Sequence, residues 1–156
     1  MLTKQNVELS NPSDSIEKRI NLSHKGYIND YNNLFTNLEV NILDSIIATF
    51  EKQTSNEIVI VTFDSATSNA ENFNKFVDKL LNQWGVGKKV ENNGILIGIS
   101  KSLRKIRISN GYGIEKKITD GETKIIIDTL IIPEFKQGKY YEGTLLGLLA
   151  MMEKIK

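Results

Sequence analysis

The stretch ILIGISKSLRKIRIS, residues 95–109, decides how the chain folds. Residues 95–100 are a β-branched, apolar run with no polar side, the pattern of a strand buried on both faces. Residues 104–109 then alternate. Lys105 and Arg107 stand against Ile106 and Ile108, as in a strand with one face in the core. Only residues 101–103 separate the two runs, so they pair as an antiparallel hairpin.

Outward from the hairpin the periods change. Upstream, Phe73, Phe76, Val77, Leu80, Leu81 and Trp84 form one apolar stripe at helical spacing. Ser68 and Glu71 stand at capping-box spacing before it, and Gly85 follows it. NEIVIVTF, residues 56–63, is a second β-branched run, apolar on both faces. Ahead of it, Leu38, Ile42, Leu43, Ile46, Ile47 and Phe50 place a helix over 38–52, with Thr36 and Glu39 spaced for its cap. Downstream, one helix is expected over 120–132, capped by Thr119 and Glu122 and stopped by Pro133. Another is expected over 139–155, with Leu145, Leu146, Leu148, Leu149, Met152 and Ile155 as its apolar face. The order α-β-α-β-β-α-α predicts an α/β fold: a small mixed β-sheet sandwiched between helices in a single compact domain, residues 26–156. Strand, helix, strand in succession implies a parallel, right-handed crossover. Residues 1–25, rich in Asn, Ser and Asp, read as a flexible lead-in.

Composition narrows the chemistry. The 156 residues contain no cysteine, which removes disulfides, thiolate metal sites and Cys nucleophiles. The one histidine, His24, lies at the end of the lead-in without an obvious partner. A net charge of +1 gives no global attraction to nucleic acid. No run is long and apolar enough to span a bilayer. The first 20 residues lack the apolar core of a signal peptide, so the sequence leaves a cytoplasmic protein and an exported, processed one equally open. No P-loop, G-x-S-x-G elbow or Rossmann fingerprint is present.

The hairpin also locates the polar residues. The crossover helix returns the chain to the end of the sheet where Glu57 begins the first strand. The hairpin then carries NGYGIEKKITDGE, residues 110–122, back to that same end. One pole therefore gathers Glu57, Lys88, Lys89, Asn92, Asn93, Glu115, Lys116, Lys117 and Asp120. The other holds Asp64, the hairpin turn and Asp30. Carboxylates and amide oxygens without His or Cys suit a hard cation, Ca2+ or another divalent ion such as Mg2+. Glycines 87, 94, 111 and 113 are expected to let backbone carbonyls turn inward. The lysines, with the start of the 120–132 helix, offer a second possibility, a phosphate ester ligand. The ligand set read here is Asn93, Glu115 and Asp120, with Asp30 and Asp64 as alternative ligands should an ion sit at the other pole.

Five segments in order resemble the TPM domain family: GYINDY at 26–31, EIVIVTF at 57–63, NQWGVGKKVENNGILIGIS at 82–100, RKIRISNGYGIEKKITD at 104–120 and IIPEFKQGKYYEG at 131–143. The family includes thylakoid-lumen photosystem II repair proteins and bacterial envelope relatives. The resemblance implies a compact α/β sandwich. It carries the family's recurrent polar positions onto Asp30, Asn93, Gly94, Gly111, Tyr112, Gly113, Glu115 and Asp120. Val90 stands where the family commonly has Gly. Family members usually carry an export signal and often a membrane segment, which implies an exported or envelope location.

Two functions follow from this resemblance. The first is a calcium-binding assembly, repair or interaction module of the cell envelope that docks onto membrane-protein complexes. The second is a metal-dependent acid phosphatase that hydrolyses phosphate monoesters with low specificity. The second lacks an assigned catalytic residue. Without His or Cys, a metal-bound water or an aspartate such as Asp64 or Asp30 would have to serve as nucleophile.

Overall fold

The structure is a computed structural model that describes residues 20–65 and 67–156. Four strands make one mixed sheet in the order β1-β2-β3-β4: β1 is Ile28–Asp30, β2 Glu57–Thr62, β3 Gly94–Ser100 and β4 Lys105–Asn110. β1 and β3 run parallel to β2, whereas β4 is antiparallel to β3. The expected mixed sheet between helices is therefore present, with one strand more than the sequence shows. Three residues are too few to display a period, so β1 leaves no pattern of its own.

The strands bury two different faces. Val59, Val61 and Leu96 pack with Phe73, Val77, Leu80 and Leu81 of α2, Phe73–Gln83. Ile58, Ile60, Ile95, Ile97 and Ile99 face the opposite way. They pack with Leu43, Ile47 and Phe50 of α1, Asn37–Thr54, and with Leu148, Met151 and Ile155 of the last helix. β3 is buried along its whole length, as its unbroken apolar run requires. Leu38 and Ile42, counted above with the α1 stripe, lie on its solvent side at 69% and 37% exposure.

The α1 cap is as spaced: Glu39 N–H donates to Thr36 Oγ1, and Thr36 N–H donates to the Glu39 carboxylate. Ser68 and Glu71 do not cap α2, which starts after Asn72. The remaining helices are α3 Tyr112–Glu115, α4 Asp120–Ile126, α5 Ile132–Lys136 and α6 Tyr140–Ile155. Pro133 does not stop the helix expected over 120–132. The chain widens into a π-helical segment, Ile127–Ile131, in which Ile132 N–H reaches the Ile127 carbonyl, and Pro133 then sits in the first turn of α5. That position needs no proline N–H. Gly143 and Gly147 of α6 leave room for Phe135 and Ile131.

Of the lead-in, residues 1–19 lie outside the described residues. Residues 20–24 run along α2. Ile20 exchanges hydrogen bonds with the Gln83 amide, Trp84 Nε1 donates to the Leu22 carbonyl, and the His24 ring stacks on Trp84 at 4.7 Å. Among the described residues the lone histidine is thus engaged with an aromatic ring and the Gly26 carbonyl rather than with other titratable groups.

Gly111 N–H donates to Gly94 O, which sets the phase of the β3–β4 ladder. Ser109 and Arg107 then bond to β3, while the N–H groups of Ile106 and Ile108 point to the free edge. Amide exchange should follow this alternation: slow through 58–62 and 95–99, slow at 107 and 109, fast at 106 and 108. Uniform protection along β4 would contradict the free edge.

Candidate functional site

The two poles are as the topology requires. Glu57 pairs with Gly94 where β2 and β3 begin, and the 110–113 turn returns beside them. Asp30 pairs with Thr62 at the far end, near the hairpin, where Asn32 Oδ1 accepts from Lys101 N–H.

At the first pole three backbone segments touch directly. A Cβ on Gly94 would overlap the Val86 carbonyl, and one on Gly113 would overlap the Glu91 carbonyl. Gly113 N–H donates to Asn92 O at 2.9 Å. Of glycines 87, 94, 111 and 113, only Gly87 has a positive φ. The other three serve close approach, not the inward turning of carbonyls expected from sequence. A second network anchors the same loop. Lys88 Nζ donates to the carboxylates of Glu57 and Glu51, Tyr27 donates to Glu51, and Gly87 N–H donates to Glu57. These bonds hold the Lys88 ammonium above its ordinary pKa, first through Glu57 and then through Glu51.

Behind this junction a cleft of ≈ 670 Å³ runs along the free edge of β4, between α2 and the α4–π segment. Glu115 and Asp120 both line it, and neither has an ion-pair partner among the described residues. Its other charges cancel. Arg107 forks onto Asp78 through two 3.1 Å bonds, and Lys124 holds Asp128. Lys88, Lys89, Lys116 and Lys117 do not line the cleft, so the expected basic rim is absent from it. The helix start is sealed as well. Thr119 and Glu122 close their capping box on each other, leaving fewer N–H groups for a phosphate.

Asn110 is a cleft residue that the spacing argument missed. Its Nδ2 donates to Thr123 Oγ1 at 3.1 Å. The Thr123 hydroxyl proton is committed to the Thr119 carbonyl, so Oγ1 can only accept, and the amide orientation is fixed. Asn110 Oδ1 is consequently buried with no donor among the described residues. The only sequence signal was its place as first residue of NGYGIE.

The structure brings Glu115 and Asp120 to one cleft, but not the other three candidate ligands. Asn93 Oδ1 accepts from Lys88 N–H at 2.7 Å and its Nδ2 donates to Ser55 O at 2.8 Å, so this side chain pins the loop. Asp30 accepts from Leu34 N–H, Phe35 N–H and the Thr62 hydroxyl. Asp64 is exposed beyond the end of β2, at the same far pole. Among the described residues no three Asp, Glu, His or Cys side chains are placed to hold a metal ion. The cleft lining offers two carboxylates, Glu115 and Asp120, and the Asn110 amide, oxygen donors of the type that hard cations take.

The TPM domain family model matches residues 28–154. The chain belongs to the TPM domain family. The N-terminal domain of a Porphyromonas gingivalis protein (P.gingivalis), solved by NMR, shares 31% identity over 81% of this chain and 80% of its own, with a TM-score of 0.74. A protein of the psychrophilic bacterium Bizionia argentinensis shares 24% identity over 80% and 83%, TM-score 0.64. The N-terminal domain of a Corynebacterium glutamicum protein shares 12% identity over 90% and 85%, TM-score 0.63. The last two likenesses speak to the fold alone. No curated protein matches the chain. No described helix of this TPM domain is long and apolar enough to cross a membrane.

Two consequences are measurable. Gly113→Ala drives a methyl into backbone and should cost about 3 kcal/mol in denaturant unfolding. At Gly121 an added methyl meets only Thr119 Oγ1, at an ordinary 3.8 Å, so Gly121→Ala should be neutral or gain up to about 1 kcal/mol. Equal effects would sink the close-approach reading. Separately, the bond from Lys154, then the Thr119 cap, holds the Glu122 carboxyl at about 2, below its ordinary 4.5. The folded-state value is depressed, so this stabilisation is complete above 4.5 and is lost as pH falls toward 2. Thermal melts of the wild type and of Glu122→Gln should differ at pH 6 and converge by roughly pH 2.

Proposed function

We propose that this TPM domain binds a divalent oxygen-seeking cation of the calcium type in the β4-edge cleft, and works as an envelope interaction module whose cleft docks a membrane-protein complex. The observation that carries the cation reading is Asn110 Oδ1. A buried carbonyl oxygen without a donor costs free energy unless something electropositive meets it. Asn110 lines a cleft in which the carboxylates of Glu115 and Asp120 have no ion-pair partner among the described residues; the oxygen itself is covered, so a cation would part the lining to meet it. Mg2+ would ask for near-octahedral geometry, which two exposed carboxylates on separate helices are poorly built to impose. The docking and envelope parts of the proposal rest on family membership.

Hydrolysis of phosphate monoesters is the weaker reading for this cleft. Its two cations, Arg107 and Lys124, are each engaged by a carboxylate. Its remaining charge is negative and would repel a phosphate ester not already carried by a metal.

In a calcium titration followed by NMR, the largest amide shifts should fall at 109–124, with smaller ones at 91–94. Affinity should be in roughly the micromolar to millimolar range. Glu115→Gln should weaken it about tenfold, and Asn110→Ala should weaken it without unfolding the domain. Shifts centred on Asp30 and Asp64, or none at all, would dispose of the proposal. Calcium-dependent phosphate release from an aryl phosphate, lost in Glu115→Gln, would favour the hydrolase instead.

A further inference from the structure

We infer that the opposite pole carries a second binding site, for a phosphate-bearing small group, either a free phosphate ester or the headgroup of a lipid. A separate cleft of ≈ 610 Å³ opens there, between the β3–β4 hairpin and the start of α6. Four cations line it: Lys101, Arg104 and Lys105 from the hairpin and Lys136 from the end of α5. No carboxylate lines it, and none of the four belongs to an ion pair among the described residues. Asp30, the carboxylate that β1 ends on, accepts from Leu34 N–H, Phe35 N–H and Thr62 Oγ1 and is not among the residues that line this cleft.

Like charges gathered without counter-charge raise one another's cost, and a multivalent anion removes that cost. Two further features match such a ligand. α6 begins at this cleft with Tyr140, and among the described residues no side chain caps its first turn, so amide N–H groups remain for an anion, opposed in part by Glu142 of that turn, which does not line the cleft. Leu34, Ile132, Phe135 and Tyr140 supply an apolar wall for whatever carbon group the phosphate is attached to. Lys101 Nζ lies 5.6 Å from the centre of the Tyr140 ring, which keeps that ammonium beside the apolar wall. The volume suits one or a few phosphate groups with a small organic portion, not a nucleic-acid strand.

The two clefts share Ile106 of β4 but no charged residue, so the two proposals fail separately. Titration with inorganic pyrophosphate, followed by NMR, should move amides 101–106 and 136–141 and leave 109–124 in place. Lys105→Gln and Lys136→Gln are exposed and far from the core, and each should weaken binding about fivefold, with further weakening in added salt. Flotation with phosphatidylcholine vesicles, with and without phosphatidic acid, identifies the source. Vesicle binding that needs phosphatidic acid and is lost in the double variant assigns the headgroup. Pyrophosphate binding without vesicle binding assigns a soluble ester. If neither probe is bound, or if the double variant binds as tightly as the wild type, the inference is wrong.

Discussion

The close approach of three backbone segments around Gly94, Gly111 and Gly113 is what the pole carrying Glu115 and Asp120 depends on. There the 86–94 loop, the head of β3 and the 110–113 turn meet carbonyl against Cα, with no side chain between them. The contact fixes where α3 begins, and hence where Glu115 stands, and it carries the chain on to Asp120 at the start of α4. The Asn93 amide and the Lys88–Glu57–Glu51 network act on the same junction from the other side. These groups hold the loop. The cleft itself takes its polar lining from residues further along the chain.

This division explains which parts of the site were legible in sequence. The hairpin was plain, because an unbroken apolar run followed by strict alternation across a short link has one reading. From it followed the poles, and from the poles the proximity of residues 93 and 110–120. Proximity does not settle direction. Asn93 and Asn110 both flank the strands at that pole, and nothing in their spacing says which amide turns into the loop and which toward the cleft. The outcome rests on Thr123, thirteen residues on, whose hydroxyl is committed elsewhere. The glycines were misread in a related way. Sequence argues naturally for positive φ, whereas three of the four are needed for the atoms they lack.

The helical misreadings have the same origin. Pro133 looked like a stop because it cannot continue an α-helix, yet a five-residue π segment and the small face of α6 absorb the change. Ser68 and Glu71 have capping spacing, but α2 begins only after Asn72. Local signals stated what each residue prefers. The packing of α6 and of α2 on the sheet decided which preference was met.

A net charge of +1 conceals an uneven distribution. Some charges are paired: Lys88 with Glu51 and Glu57, Arg107 with Asp78, Lys124 with Asp128, Lys154 with Glu122 and Lys156 with Glu153. Among the charges that line a cleft without an ion-pair partner in the described residues, two carboxylates stand in the cleft beside β4 and four cations in the cleft under the hairpin. The sheet sets this sorting. An antiparallel hairpin must put its turn at one end and its continuation at the other, so the cations of 101–105 and the carboxylates of 115–120 cannot meet across β4. The two proposed ligands, opposite in charge, would therefore sit toward opposite ends of β4, whose Ile106 lines both clefts.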